Sequence, residues 1–125
     1  MTDSAATRRV VEAYFDAWTQ NRIEDAYALL ADDLHFTGPS AEYRTRAEFR
    51  PGLVGFAGLR KSSQKVELLV EGDRAALLYD CELPPPAGKM RIASFFQVAG
   101  GRITRYDTRF DAEGFRQLLA ALQKK

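Results

Sequence analysis

A handful of side chains in this sequence could do chemistry. Tyr14 and Trp18 stand four residues apart, so on a helix they share a face and present an O–H, an N–H and two ring surfaces together. Tyr79, Ser94, Tyr106 and Thr108 offer further hydroxyls from later segments. His35 is the one histidine, and imidazole is the natural general base near neutral pH. Cys81 is the one cysteine, with no His or Lys clearly placed to activate it. Such a set can hold an oxygen atom of a small molecule, or, with Tyr14 or His35 as catalyst, move a proton on it. It is not a metal set: one His, one Cys and scattered carboxylates do not make a zinc site. No internal disulfide can form, and no residue pattern calls for a cofactor.

The elements that must position these residues change period midway. Ser4 to Asn21 carries Val10, Val11, Tyr14, Phe15 and Trp18 on an amphipathic helical stripe. A second helix is expected after Arg22, with Ile23, Ala26, Tyr27 and Leu30 inside and Asp32-Asp33 at its end, which makes Asp33 a helix-end residue. Leu34 to Thr37 reads as a short strand broken by Gly38-Pro39. Thr45-x-x-Glu48 has capping-box spacing and precedes Phe49, Leu53 and Phe56. Pro51, Gly52, Gly55 and Gly58 make that helix short and poorly specified.

From Gln64 the apolar residues alternate. One face collects Val66, Leu68 and Val70, then Leu77, Tyr79, Cys81 and Leu83, then Met90, Ile92, Ser94, Phe96 and Val98, then Tyr106, Thr108 and Phe110. Gly72-Asp73 and Gly100-Gly101 mark turns, and Pro84 to Gly88 a loop. A two-residue turn at Gly100-Gly101 would put Phe96 opposite Arg105. A three-residue loop would put Phe96 opposite Tyr106 and Ser94 opposite Thr108, which keeps the aromatics on one face; this register is expected. Asp111 should cap a final helix with Phe115, Leu118, Leu119 and Leu122 inside, and Lys124-Lys125 suits its C-terminal dipole.

The expected fold is therefore α+β: one domain over residues 1–125, a curved sheet on N-terminal helices, enclosing a mostly apolar pocket. Tyr14, Trp18, Phe36, Leu53, Phe56, Tyr79, Cys81, Ser94, Phe96, Tyr106, Thr108 and Phe110 are expected to line it and to bind a small hydrophobic molecule. His35 alternates with Phe36 and should point away if Phe36 points in.

Bulk properties remove other classes. The formal charge is +1 from 18 basic and 17 acidic residues, which leaves no basic footprint for nucleic acid. No apolar run approaches the length of a membrane span, and no signal peptide precedes the first helix, so a cytoplasmic protein is expected.

The stretches VVEAYFDAWTQNRIEDAYALLADDLHF, residues 10–36, and RIASFFQVAGGRITRYDTRFD, residues 91–111, resemble the opening and closing segments of SnoaL-like polyketide cyclases and ketosteroid isomerases. These are members of the nuclear transport factor 2-like superfamily. The resemblance implies a cone-shaped mixed or antiparallel sheet of cystatin-like topology. It also implies that Tyr14 matches the oxyanion-donating Tyr of the isomerases. Their Asp base precedes a Pro after the first strand, where this chain has Gly38. Their protonated Asp falls at Ser94. The cyclases' acidic residue on the last strand faces the cavity; here the phase puts Thr108 inward and Asp107 outward. The Arg-x-Asp pair of epoxide hydrolases becomes Arg91-x-Ala93. Steroid isomerisation is thereby disfavoured, and enzyme and non-catalytic binder both remain open.

The outer sheet face should carry Asp80, Glu82, Arg91, Phe95, Gln97, Arg105, Asp107 and Arg109. A large aromatic among charges of both signs suits a two-fold contact. The resemblance implies the same, so a homodimer centred near Phe95 and Arg109 is expected.

Overall fold

A computed structural model describes residues 3–123. Helix α1 (Ser4–Thr19) is followed by α2 (Ile23–Ala28), β1 (Leu30–Thr37), β2 (Glu42–Tyr43), α3 (Arg46–Leu59), β3 (Ser62–Glu71), β4 (Arg74–Glu82), β5 (Lys89–Ala99), β6 (Arg102–Arg109) and α4 (Glu113–Gln123). Six strands form one mixed sheet in the order β2-β1-β6-β5-β4-β3. Only β1–β6 is parallel; the other pairs are antiparallel. Irregular registers in β1, β3 and along β5–β6 interrupt the ladders. Such bulges bend strands and increase twist, and they give the sheet its curve.

The concave face is the apolar one. Asp3 caps α1 by accepting from the Ala6 N–H, and the helix buries Val11, Tyr14, Phe15 and Trp18 against the sheet. Tyr79 meets both Phe15 and Trp18 edge-on, at 5.2 and 5.8 Å between ring centroids. Along β4, β5 and β6 the expected inward residues Leu77, Tyr79, Cys81, Met90, Ile92, Ser94, Phe96, Tyr106 and Thr108 are buried.

Four local expectations need correction. Leu30 belongs to β1, not to α2, which ends at Ala28. Asp32 and Asp33 are therefore strand residues, and Asp32 pairs with Arg46 at 3.0 Å instead of ending a helix. Helix α3 is regular over 14 residues despite Pro51. Thr45 Oγ1 accepts from the Glu48 N–H while Glu48 accepts from the Arg44 N–H, so both ends of its capping spacing are engaged. Val66 is exposed, because the bulge between Lys65 and Glu67 shifts the phase and leaves Leu68 and Val70 inward. In α4 only Leu118 is buried; Leu119 and Leu122 are exposed. Asp111 does accept from the Glu113 N–H. Lys124 and Lys125 lie outside the described residues.

The expected β5–β6 register is present by a different route. Ala99 pairs with Arg102 across a two-residue Gly100-Gly101 turn, both glycines having positive φ. One unpaired residue, Thr104, then restores Phe96↔Tyr106 and Ser94↔Thr108. Among the described residues no helix is long and apolar enough to cross a membrane.

Candidate functional site

Where α1 no longer covers the concave face, the sheet, α3 and α4 leave a cavity of about 440 Å³. The alternation of β4 and β6 supplies Tyr79, Tyr106 and Thr108. Trp18 comes from the end of α1, and Leu53, Phe56 and Leu59 from the inner side of α3. Phe36, the Gly38–Ala41 loop and Tyr43 form a rim from β1 and β2. Phe110, Phe115 and Leu119 close the other side. Phe115 is held by edge contacts to Phe56 and Phe110 at 5.8 and 5.7 Å.

Of the residues expected at a pocket, Trp18, Phe36, Leu53, Phe56, Tyr79, Tyr106, Thr108 and Phe110 come together along this cavity. Tyr14, Cys81, Ser94 and Phe96 do not line it. Cys81, Ser94 and Phe96 share the inward face of the sheet but sit where it is covered, and Tyr14 belongs to α1, which covers it. Tyr14 packs edge-on to Tyr106 at 5.4 Å and to Phe96 at 6.2 Å, inside the α1–sheet layer. Cys81 is sealed at the other flank, with its Sγ 3.5 Å from Ser63 Oγ. Burial pushes the Cys81 thiol up, against smaller opposing effects of Ser63 and Arg60. Alternation names the face of a strand; it does not say how far along that strand a helix lies over it.

His35 also lies away from the cavity. Its ring nitrogen is 2.6 Å from Glu42 Oε2, which Arg44 also approaches at 3.1 Å. The hydrogen bond to His35 and then the Arg44 charge hold the Glu42 carboxyl below its usual range. His35 thus fastens β1 to β2 rather than facing a ligand.

Hydroxyls gather at the base of the site. Ser94 Oγ and Thr108 Oγ1 are 3.0 Å apart and buried. Burial raises the pKa of Tyr14, Tyr79 and Tyr106 in every case. These phenols therefore stay protonated and act as O–H groups, not as bases. The polar side chains along the cavity are Ser40, Tyr43, Tyr79, Tyr106, Thr108 and the Trp18 indole; no Asp, Glu, His, Lys, Arg or Cys is among its lining residues. Sequence reasoning missed Tyr43, Phe49, Ile92, Phe115 and the Gly38–Ala41 loop as lining. Phe49 and Phe115 were visible as apolar helix positions, whereas Tyr43 lies in a two-residue strand with no periodic signal. The described residues also hold no cluster of three His, Cys, Asp or Glu able to take a metal.

Residues 11–106 match the SnoaL-like domain, and the chain belongs to that family. Its fold is nuclear transport factor 2-like. A Kribbella flavida protein is 25% identical with TM-score 0.84, over 94% of this chain and 96% of its own. A second protein from that organism, described as a candidate ketosteroid isomerase, is 25% identical with TM-score 0.76, over 89% and 82%. A nuclear transport factor 2-like protein of unknown function from Cytophaga hutchinsonii is 19% identical with TM-score 0.73, over 90% and 94%. No curated protein sequence matches the chain.

Proposed function

We propose that this domain binds a small, uncharged, largely apolar molecule, holds its oxygen with hydroxyl donors, and does no acid–base chemistry on it. The observation that carries this reading is the lining itself: aromatic and aliphatic walls, hydroxyls as the main polar groups, and no ionisable acid or base with a pKa near neutrality. General acid–base catalysis needs such a group within hydrogen-bond reach of the proton it moves. The position that resembles the isomerases' protonated acid is Ser94, tied to Thr108. An apolar cavity of this size with a few polar groups is the usual form of a small-molecule site.

Trp18 is the one tryptophan and lies along the cavity, so its emission reports occupancy. The test is titration with 9-fluorenone, a neutral ketone, and with its 2-carboxylate. The ketone should change Trp18 emission saturably, and the anion should bind at least about tenfold more weakly, since no cation in the lining offsets its desolvation. Equal binding of both, or no response to either, contradicts the reading.

The protein partner in this reading is a second copy of the chain. Leu69, Ala76 and Phe95 stand side by side across β3, β4 and β5 on the outer face, with Leu69 and Phe95 60% and 50% exposed. The Arg91–Asp80 and Arg109–Asp107 pairs flank that row, and charges of both signs can complement their own copies across a two-fold axis. Sedimentation at micromolar concentration should show a dimer that Phe95→Glu dissociates. A wild-type monomer would refute the contact, and a dimer indifferent to Phe95→Glu would move it elsewhere.

A further inference from the structure

We propose that Gly52 and Gly55 determine which molecules enter the cavity, and that they select planar ring systems. The proposal rests on the binding reading above. Helix α3 carries glycine at 52, 55 and 58, and glycine in a helix interior is less favourable than alanine. Glycine is normally kept in a helix because something packs tightly against it or because its φ is positive. Neither holds here. A Cβ at any of the three would meet nothing within 4 Å, and none is among the glycines with positive φ. Gly114 shows the contrast: its Cβ would fall 3.0 Å from the Ala87 Cα and 3.1 Å from the Pro86 carbonyl.

What distinguishes Gly52 and Gly55 is the cavity. Both are solvent-exposed and both line it, in one strip with Pro51 and Leu59, whereas Gly58 does not. The strip borders the same space as Tyr79, Tyr106 and Thr108, whose hydroxyls are the polar groups that the sheet supplies there.

Without Cβ atoms, α3 presents bare backbone to the cavity mouth. A flat ring can lie against that surface at van der Waals distance. A methyl at either position would stand about 1.5 Å proud of it and lift the ring away. The other rim is also aromatic: Phe36 and Tyr43 stack on each other at 5.9 Å and 27°. The stability given up in α3 thus leaves a slot.

Four proteins and two ligands test this: wild type, Gly52→Ala, Gly55→Ala and Gly58→Ala, with 9-fluorenone and the compact ketone adamantan-2-one. Binding is read from Trp18 emission and stability from thermal melts without ligand. All three variants should melt higher than wild type, by about 3–5 °C. Gly52→Ala and Gly55→Ala should weaken 9-fluorenone at least tenfold, and Gly58→Ala should leave it unchanged. Wild type should bind adamantan-2-one at least tenfold more weakly than 9-fluorenone. Wild type that binds 9-fluorenone while the 52 and 55 variants bind it equally well overturns the slot and leaves the binding reading standing. So does equal affinity for the two ketones, or variants that melt lower. Wild type that binds neither ketone overturns both.

Discussion

Phe96 stands directly opposite Tyr106 across β5 and β6, ring centroids 4.8 Å apart, because one residue, Thr104, is left out of the ladder between them and the turn. Gln97 pairs with Arg105 and Val98 with Ile103, and Thr104 Oγ1 donates to the Gln97 carbonyl. Were Thr104 to pair with Gln97 instead, Arg105 would fall opposite Phe96 and β6 would face the other way. With Thr104 left unpaired, Tyr106 and Thr108 reach the cavity and Arg105, Asp107 and Arg109 stay outside.

Deleting Thr104 alone should keep the register, because Val98–Ile103, Gln97–Arg105 and Phe96–Tyr106 then run on as an unbroken ladder. Deleting Thr104 and Arg105 together should reverse β6. Tyr106 would fall opposite Gln97, and Asp107 and Arg109 would turn toward the core, since a one-residue slip carries every side chain to the opposite face. Burying even one such charge unpaired costs several kcal/mol, comparable to a small domain's whole stability. The single deletion should keep a cooperative thermal transition by circular dichroism, and the double deletion should lack it. A double deletion that melts like wild type would show that the spacing between the turn and Tyr106 does not set the register.

Acid should weaken the fold through three surface pairs. Glu24 is held below its usual range by the hydrogen bond from Arg50, Glu42 by His35 and then Arg44, and Asp80 by the hydrogen bond from Arg91. A carboxylate whose folded pKa is depressed adds stability above its unfolded pKa and loses it as pH falls through the folded one. Melting temperature should be level above about pH 5, given unfolded values near 4, and decline below. All three carboxylates are exposed, so each contribution is small. Glu24→Gln, Glu42→Gln and Asp80→Asn combined should flatten the decline; an unchanged acid limb would show that other groups control it.

The sheet was far more legible in the sequence than the site. Alternation through Tyr79–Cys81, Ile92–Phe96 and Tyr106–Thr108 announces strands and their inward face, because a half-buried sheet imposes period two. Leu30 misled because it extends the helical spacing of Ile23, Ala26 and Tyr27 while equally suiting a buried strand start. Val66 misled because a bulge has no fixed residue type. Cys81, Ser94 and Phe96 lie on the inward face that alternation names, yet they and Tyr14 are not among the residues lining the cavity. Which stretch of that face stays open depends on where α1 ends and how α4 lies, and neither leaves a mark on the strands themselves.

If the cavity holds an uncharged molecule by hydroxyls, with no acid or base in reach, a crystal structure of the protein with 9-fluorenone should show the ketone between α3 and the sheet, against Trp18. Its oxygen should lie about 2.6–3.2 Å from a hydroxyl of Tyr79, Tyr106 or Thr108. A ketone seated on the outer sheet face would contradict this, and so would a carboxylate or imidazole within hydrogen-bond distance of the bound oxygen.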